Sequence, residues 1–342
     1  MTIIRLQSEK SFPDNTHESE NKKTTRRPAP EKPKPWTKKE RIFVFSTLAL
    51  TSLISAVLGF TARKGKLPGV PVLNFPSISL EETYTIQKEN GEMKIKSNDE
   101  IISKIQAITS ALSGVYGIYV VDLNGENSYS INENHTFQAA SLVKLPVMAG
   151  SLYESDKRTL NLKTKHTLNE TDKIAGSGSL YYQPAGSVVT YQKLIEMMGK
   201  ESDNTAFGIM SDVLGSEKIE THIKRLGMTN TSIDKNKTTP KDIASFFKHI
   251  TKDNYLSQTS ADLLLSYLTD TIYENFLPAS LPDDIKVAHK FGRELHVIND
   301  AGVVYATNPY IVVILSEGVM ESEAEIAIPK ISELIYQNAL AH

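Results

Sequence analysis

The chain has 342 residues, of which 38 are Lys or Arg and 40 are Asp or Glu, and it contains no cysteine. The lack of cysteine excludes disulfide bonds, thiolate-bound zinc, iron–sulfur clusters and a cysteine nucleophile. A hydrophobic fraction of 40% and a charged fraction of 23% are typical of a folded globular protein.

The net charge of −2 hides an uneven distribution of charge along the chain. Residues 1–41 contain eleven Lys or Arg and six Asp or Glu, residues 42–62 contain no charge, and the remainder is acidic. We expect residues 1–41 to form a disordered basic cytoplasmic tail, because a polar segment rich in proline cannot bury a core. A basic head on an acidic body favours a membrane as partner and argues against nucleic acid.

The uncharged segment 42–62 predicts a transmembrane helix. A helix of this length measures about 31 Å, enough to cross a bilayer core of about 30 Å. Nine Lys or Arg lie between Lys22 and Arg41, and few follow the segment closely. This bias predicts a single-pass protein of the cell membrane with a cytoplasmic N-terminus and an extracytoplasmic body. A cleaved signal peptide is one alternative, but the polar head is long for one and no clear cleavage site follows. A buried core helix is the other, but the Ser and Thr residues of the segment are spread around it without forming a polar face.

A linker is expected at residues 63–96, where prolines interrupt any helical period, and a compact domain at residues 97–342. The segment Ser97-Asn98-Asp99-Glu100 has the form of a capping box, and apolar residues including Ile101 and Ile105 follow at helical spacing. We therefore expect the first helix of the domain to begin at this segment.

Strands are predicted at both ends of this domain and helices between them. Residues 115–123 and 128–131 form a predicted hairpin, and residues 141–280 read mostly as helices separated by polar turns. The later strands are predicted at residues 285–290, 303–306 and 310–315. A closing helix is predicted to have an apolar face formed by Ile328, Ile331, Leu334 and Ile335. The pattern predicts an α+β fold in which both ends build one antiparallel sheet around a helical insert.

The segment Ser141-Leu142-Val143-Lys144 opens an apolar helical pattern. Its spacing places the Ser141 and Lys144 side chains on one face, one turn apart. A serine hydroxyl needs a neighbouring base to attack a carbonyl at neutral pH, and a buried lysine near other cations has its pKa lowered enough to serve. Taken alone the pattern is weak, since a helix-capping serine and a solvated lysine would also explain it.

Two further segments carry polar groups in a suggestive order. Ser202-Asp203-Asn204 lies between the predicted helices 190–200 and 205–214, and Lys290-Phe291-Gly292 ends a predicted strand. Each is ordinary alone, as a helix cap or as a strand end. Their combination with Ser141 and Lys144, in this order along the chain, is far less common.

The combination resembles the serine β-lactamase and penicillin-binding-protein family, and most of all the class A β-lactamases, over about residues 97–342. Residues 137–140, a Gly/Ser turn at 175–180 and residues 238–240 agree with it. The resemblance implies an α/β sandwich of the β-lactamase/transpeptidase type. It also implies a serine hydrolase that needs no cofactor or metal and acts on β-lactams or on peptidoglycan peptides. Together with the predicted transmembrane helix, this makes the expected protein a membrane-anchored serine hydrolase.

The resemblance also implies roles for the catalytic side chains. Ser141 would attack the substrate carbonyl and form an acyl-enzyme, and Lys144 would take the proton of the Ser141 hydroxyl. Ser202 would relay a proton to the leaving nitrogen. Asp203 is expected to hold its turn together and to take no part in the chemistry.

The substrate-binding groups implied by the resemblance lie in the second and third segments. Asn204 would hold the side-chain amide of the substrate, and Lys290 would attract its carboxylate. The oxyanion hole would consist of the backbone N–H groups of Ser141 and of Arg293, which directly follows Gly292.

The chain departs from the family pattern at two places. Phe291 stands where the family usually has Thr or Ser, so a hydroxyl that would bind the substrate carboxylate is missing, and His289 or Arg293 are the alternative anion partners. The loop that carries the deacylating glutamate of class A enzymes shrinks to residues 231–237, with Asp234 as its acid. We therefore expect slow deacylation, and a DD-peptidase, a penicillin-binding sensor or a degenerate non-catalytic module remain alternatives.

Overall fold

The computed structural model describes residues 92–125 and 127–341, and in addition residues 38–39, 44–47 and 51. The chain divides into two compact units, Met1–Ser79 and Leu80–His342. The predicted tail, membrane span and linker lie almost entirely outside the described residues. Among the residues that are described, no helix is long and apolar enough to cross a membrane.

The C-terminal unit contains a succession of helices and strands that we number in chain order. The first half comprises α1 (Glu92–Thr109), β1 (Val115–Asp122), β2 (Ser128–Ile131), β3 (Phe137–Gln138), a 3₁₀ turn (Ala140–Val143), α2 (Lys144–Asp156), β4 (Lys165–Thr167), β5 (Val188–Thr190) and α3 (Tyr191–Lys200). The second half comprises α4 (Asn204–Leu214), α5 (Ser216–Arg225), β6 (Lys237–Thr238), α6 (Pro240–Thr251), α7 (Gln258–Tyr267), β7 (Val287–Glu294), β8 (Val297–Val304), β9 (Tyr310–Glu317) and α8 (Glu321–Leu340).

The main sheet has five strands in the order β2-β1-β9-β8-β7, and each pair of neighbours is antiparallel. The first strand of the domain lies beside its last strand, with Ile118 opposite Ile314. The α+β class and the prediction that both chain ends build one antiparallel sheet are therefore confirmed. The short strand β3 pairs with β6, which brings the segment before Ser141 next to residues 237–238.

The sheet separates two hydrophobic cores. Because side chains alternate along a strand, Val313 faces the core of the helical insert, while Ile314 faces the core under α1 and α8. In α8, Ile328, Ile331 and Ile335 are buried against the sheet, as their spacing predicts. The helical insert is thus held against one face of the sheet, and the terminal helices cover the other face.

Helix α1 begins before its predicted start. It begins at Glu92, inside the predicted linker, so the segment Ser97-Asn98-Asp99-Glu100 is helix interior and not a capping box at the helix start. A helix that already carries backbone hydrogen bonds does not need the local signal that a capping box supplies.

Strand β7 extends to Glu294, whereas residues 285–290 were the predicted strand. Gly292 therefore lies within the strand and not at its end. The strand is the edge of the sheet, and its polar end is held by pairing with β8, where Arg293 lies opposite Ile298. Strand β8 likewise begins at Val297, well before residues 303–306, and it buries Asn299 and Asp300. Period-2 hydrophobicity misses strands whose buried positions are polar.

Candidate active site

A cavity of about 580 Å³ opens between the start of α2, the start of α4 and strand β7. Its wall includes Ser141, Lys144, Ser202 and Asn204, which lie up to 63 positions apart in the sequence. The fold thus brings the first two predicted motifs to one surface. Concave sites with convergent polar groups are where substrates are bound.

Ser141 lies in the 3₁₀ turn Ala140–Val143, which continues directly into α2. The preceding residue, Ala140, has a φ of 49°, in the left-handed region that side chains other than glycine rarely adopt. Ser202 adopts the same region with a φ of 55°. Such a strained backbone persists only where the surrounding packing fixes it, and it is found most often at functional sites. No pattern in the sequence marks either residue as strained.

Lys144 is 2% exposed and is the centre of the hydrogen-bond network. Its Nζ donates to Ser141 Oγ at 2.9 Å, to Asn204 Oδ1 at 2.8 Å and to Ser202 Oγ at 3.2 Å. Burial lowers the pKa of Lys144 to about 8, although the nearby carboxylates of Asp203 and Glu294 oppose the shift. The cause of the lowered pKa is therefore desolvation. A lysine with this pKa can exchange a proton with the Ser141 hydroxyl near neutral pH.

Asp203 holds the turn between α3 and α4, as the sequence predicts. Its Oδ1 accepts a hydrogen bond from Ala206 N and its Oδ2 accepts one from Leu180 N, both at 2.8 Å. The first of these contacts caps the N-terminus of α4. Burial raises the pKa of the Asp203 carboxyl. Ser202 and Asn204 thus flank Asp203, whose own side chain is hydrogen-bonded to the protein backbone.

The Gly/Ser turn at residues 175–180 supports the Ser202–Asn204 segment from the other side. Ser177 Oγ donates to Ser202 O at 2.7 Å, and Asn204 Nδ2 donates to Ala175 O at 3.1 Å. Gly178 has a φ of 98°, and a Cβ atom there would lie 2.1 Å from Asp203 Oδ2. Only glycine fits this position, since any side chain would collide with the carboxylate.

Gly292 of β7 passes directly against the turn that carries Ser141. A Cβ atom at Gly292 would lie 2.8 Å from Leu142 Cδ1 and 3.1 Å from Ser141 N. The backbone that leads from Gly292 to Arg293 is thereby brought beside the N–H group of Ser141. These are the two backbone groups that the family resemblance implies for the oxyanion hole.

Lys290 lies on the same strand but is 1% exposed. Its Nζ donates to Phe291 O at 2.8 Å, and its ring neighbour is Tyr273, whose centroid is 5.8 Å away. Burial and the charge of Lys144 hold the pKa of Lys290 well below its usual value. The ammonium group is consequently set into the protein behind the cavity wall.

Phe291 forms part of the cavity wall and belongs to an aromatic stack. Its ring lies between those of Tyr273 and Phe276, with centroid separations of 4.8 and 4.3 Å. Sequence reasoning missed Tyr273 and Phe276, because they lie in an irregular segment between α7 and β7 with no periodic pattern.

The two alternative anion partners are both engaged elsewhere. His289 Nδ1 contacts Asp300 Oδ1 at 2.8 Å, and its Nε2 contacts Glu274 Oε1 at 3.2 Å. Arg293 pairs with Glu321 and Glu325 of α8. Both side chains therefore already have acidic partners, but Arg293 also lines the cavity and stays a predicted anion partner.

Residues 231–237 form a tight turn. Ser232 and Lys237 exchange two backbone hydrogen bonds of 2.9 and 3.0 Å, and Asn236 N donates to Ile233 O at 2.9 Å. Ile233 and Asn236 line the cavity, whereas Asp234 is exposed and does not. The turn therefore brings no carboxylate to the cavity.

The carboxylate in the cavity wall is that of Glu294, which sequence reasoning missed. It lies two residues beyond Gly292, past the predicted end of the strand. The extension of β7 by pairing with β8 is what brings it to the wall. Within the described part of the chain, no group of three or more His, Cys, Asp or Glu side chains could hold a metal ion.

Comparison with curated proteins finds β-lactamases. The chain is 25% identical over 255 residues to β-lactamase VEB-1 of Pseudomonas aeruginosa, covering 69% of this chain and 83% of that protein. It is 24% identical over 209 residues to β-lactamase AER-1 of Aeromonas hydrophila, covering 56% of this chain and 69% of that protein.

Comparison with solved structures finds the same fold. PBP-A matches with a TM-score of 0.67 and 25% identity, over 72% of this chain and 97% of that one. A β-lactamase from Sphaerobacter thermophilus DSM 20745 matches with a TM-score of 0.67 and 24% identity, over 71% and 98%. The model of the β-lactamase enzyme family matches residues 100–339. With its β-lactamase/transpeptidase-like fold, the chain therefore belongs to the β-lactamase enzyme family of serine hydrolases.

Proposed function

We propose that the protein is an active-site-serine hydrolase that forms an acyl-enzyme with β-lactams or with cell-wall peptides and releases it slowly. The observation that carries this proposal is the buried Lys144 Nζ, which donates hydrogen bonds to Ser141 Oγ and Ser202 Oγ in one cavity. The relationship to VEB-1 and to PBP-A supports β-lactams as substrates. A mutant of PBP-A has been solved in an acyl-enzyme complex with penicillin G.

Acylation follows from this arrangement. Lys144 takes the proton of Ser141 as Ser141 Oγ forms a bond to the amide carbonyl carbon. The N–H groups of Ser141 and Arg293 stabilise the negative oxygen of the tetrahedral adduct. Ser202 Oγ passes a proton from Lys144 to the amide nitrogen as the carbon–nitrogen bond breaks. Each step needs only groups that already contact one another or lie side by side at the cavity wall.

Substrate binding is the weaker part of the site. Asn204, which lines the cavity, would bind the side-chain amide of the substrate, and Lys290 would attract its carboxylate from behind the cavity wall. Lys290 is buried and its pKa is lowered, and Phe291 supplies no hydroxyl. We therefore expect weak initial binding of a substrate carboxylate.

Slow deacylation is supported by the turn at residues 231–237. Hydrolysis of the acyl-enzyme requires a water molecule activated by a base, and Asp234 of this turn is exposed to solvent and does not line the cavity. General-base assistance is worth about 10²–10⁴-fold in rate. A DD-peptidase or a penicillin-binding sensor is the second candidate function, since a long-lived acyl-enzyme suits either.

The proposal is tested by labelling the full-length protein with a fluorescent penicillin and following the label over time. We expect one equivalent of label that persists. Ser141→Ala abolishes the label, whereas Ser211→Ala, which removes a buried hydroxyl outside the cavity, retains it. Rapidly lost label indicates an efficient β-lactamase, and no label indicates a degenerate module. Labelling of Ser141→Ala equal to that of the wild type refutes the assignment.

Anchoring in the cell membrane through residues 42–62 is part of the same proposal. It is supported by 21 residues without charge, preceded by nine basic residues from Lys22 to Arg41. Protease added to intact cells should digest the catalytic domain and spare the N-terminal tail. A C-terminal domain that is protected in intact cells contradicts this topology.

A further inference from the structure

Glu294 and Asn236 form a polar pair in the cavity wall that the acylation steps do not use. Asn236 Nδ2 donates to Glu294 Oε1 at 3.3 Å, and Gln138 Nε2 donates to Glu294 Oε2 at 3.0 Å. Both members of the pair line the same cavity as Ser141 and Lys144. The amide groups hold the carboxylate in place without neutralising its charge.

The pair is fixed close to Ser141 from two directions. Asn236 O accepts a hydrogen bond of 2.9 Å from Ala139 N, two residues before Ser141. Glu294 lies two residues after Gly292. Gly292 is so close to the nucleophile that a Cβ atom added to it would lie only 3.1 Å from Ser141 N. The carboxylate is also near enough to Lys144 for its charge to raise the pKa of that lysine. The pair and Ser141 therefore line one cavity, in which an acyl group on Ser141 would be held.

Asn236 has an unusual hydrogen-bonding state. Its Oδ1 is buried and accepts no hydrogen bond from the described residues. Because Oδ1 is closed off from solvent, the part of this side chain that acts on the cavity is Nδ2, which holds Glu294 Oε1.

We propose that the Glu294 carboxylate, held by Asn236 Nδ2 and Gln138 Nε2, binds the hydrolytic water in the cavity of acylated Ser141 and is the base of the slow deacylation. The inference rests on the proposed function, because it requires an acyl-enzyme. It assigns to a strand and a turn the task that a loop glutamate performs in class A enzymes. Glu294 is exposed at the edge of the cavity, and an exposed carboxylate is a weaker general base than a buried one. This agrees with slow release of the acyl group.

The chemical step balances with groups in the cavity. Glu294 takes one proton from the water as the water oxygen forms a bond to the ester carbon. Collapse of the tetrahedral adduct breaks the bond from that carbon to Ser141 Oγ, and Ser141 Oγ takes the proton that Glu294 received, relayed through Lys144. The product leaves as a carboxylic acid, Glu294 is again a carboxylate, and Lys144 is neutral before and after the step.

The experiment separates acylation from release in the full-length protein. Each variant is reacted with penicillin G, the burst of acyl-enzyme is measured by intact-protein mass spectrometry, and release is followed after excess penicillin is removed. Glu294→Gln should form one equivalent of acyl-enzyme and release it at least about tenfold more slowly than the wild type, within the range of general-base effects. Glu294→Asp, which keeps a carboxylate, should recover part of the rate, and Asn236→Ala should slow release to a smaller extent.

Asp234→Asn is the matched control, because it neutralises an acid in the same turn that does not line the cavity. We expect it to release the acyl group at the wild-type rate. Release by Glu294→Gln at the wild-type rate overturns the inference, as does equal slowing in Asp234→Asn. Failure of the wild type to form any acyl-enzyme is a different result, which overturns the proposed function itself.

Discussion

The rate of acylation should depend on pH through Lys144, and the structure sets the size of the effect. A lysine must be neutral to take the Ser141 proton, and burial lowers the pKa of Lys144 to about 8. At pH 7 about one tenth of such lysines are neutral, against about 0.04% for a lysine with an ordinary pKa near 10.4. Burial therefore increases the population of the active base by a few hundredfold at neutral pH.

The measurement is the second-order rate constant for acylation by a fluorescent penicillin, from pH 5.5 to pH 9.5. The rate should rise about tenfold per pH unit below pH 7 and level off above about pH 8.5, because the neutral fraction follows the titration of Lys144. Lys144→Ala should lower the rate by about 10²–10⁴-fold and remove this dependence. Lys157→Ala, which removes an exposed lysine at the other end of α2, should behave as the wild type.

A rate that does not change between pH 6 and pH 8 in the wild type would refute this reasoning. So would a Lys144→Ala variant with the same pH profile as the wild type, since another group would then be the base. Folding of each variant is checked from its Tm, because removal of a buried side chain also creates a cavity.

Three further predictions concern strand β7. Gly292→Ala should lower the acylation rate by about 10²-fold, because the added Cβ displaces the N–H group of Ser141. The Tm should be retained to within a few degrees. An unchanged rate contradicts the close approach of Gly292 to Ser141 N. Phe291→Thr should tighten the initial binding of a carboxylate-bearing β-lactam by about tenfold, since a hydroxyl is gained. It should also lower the Tm, since the stack of Phe291 with its aromatic neighbours is lost. Looser binding argues against a carboxylate position beside residue 291. His289→Gln should alter how the free energy of unfolding depends on pH. Burial disfavours the charged imidazolium, but the charges of Asp300 and Glu274 outweigh burial and raise the pKa of His289 to about 9. The stabilising contribution of the charged imidazolium is therefore complete below about pH 6.5 and is lost as pH rises through about 9. Urea titrations across that interval should show this loss in the wild type and not in the variant.

Local patterns in the sequence were sufficient for several features. The hairpin strand β2 has the predicted bounds, and the apolar face of α8 is the one that its spacing predicts. The proximity of Ser141 and Lys144 could be predicted because three positions along a helical turn bring side chains together whatever the rest of the chain does. The cap formed by Asp203 is local for the same reason.

Features that depend on distant partners could not be predicted in this way. The polar end of β7 is a strand only because β8 pairs with it, and this extension places Glu294 in the cavity wall. Asn236 lies 58 positions from Glu294, and no local pattern relates the two. Tyr273 and Phe276 stack on Phe291 from a segment without regular structure.

The sequence by itself determined which chemical groups are present and which of them are neighbours along the chain: a serine with a lysine one turn away, a Ser-Asp-Asn turn, and a strand with lysine and glycine. The tertiary structure decided the state of those groups. Lys144 has a pKa of about 8 because the fold removes it from water and surrounds it with side chains 58 and 60 positions away. Desolvation depends on everything packed around a charge, and that packing exists only when distant segments have come together.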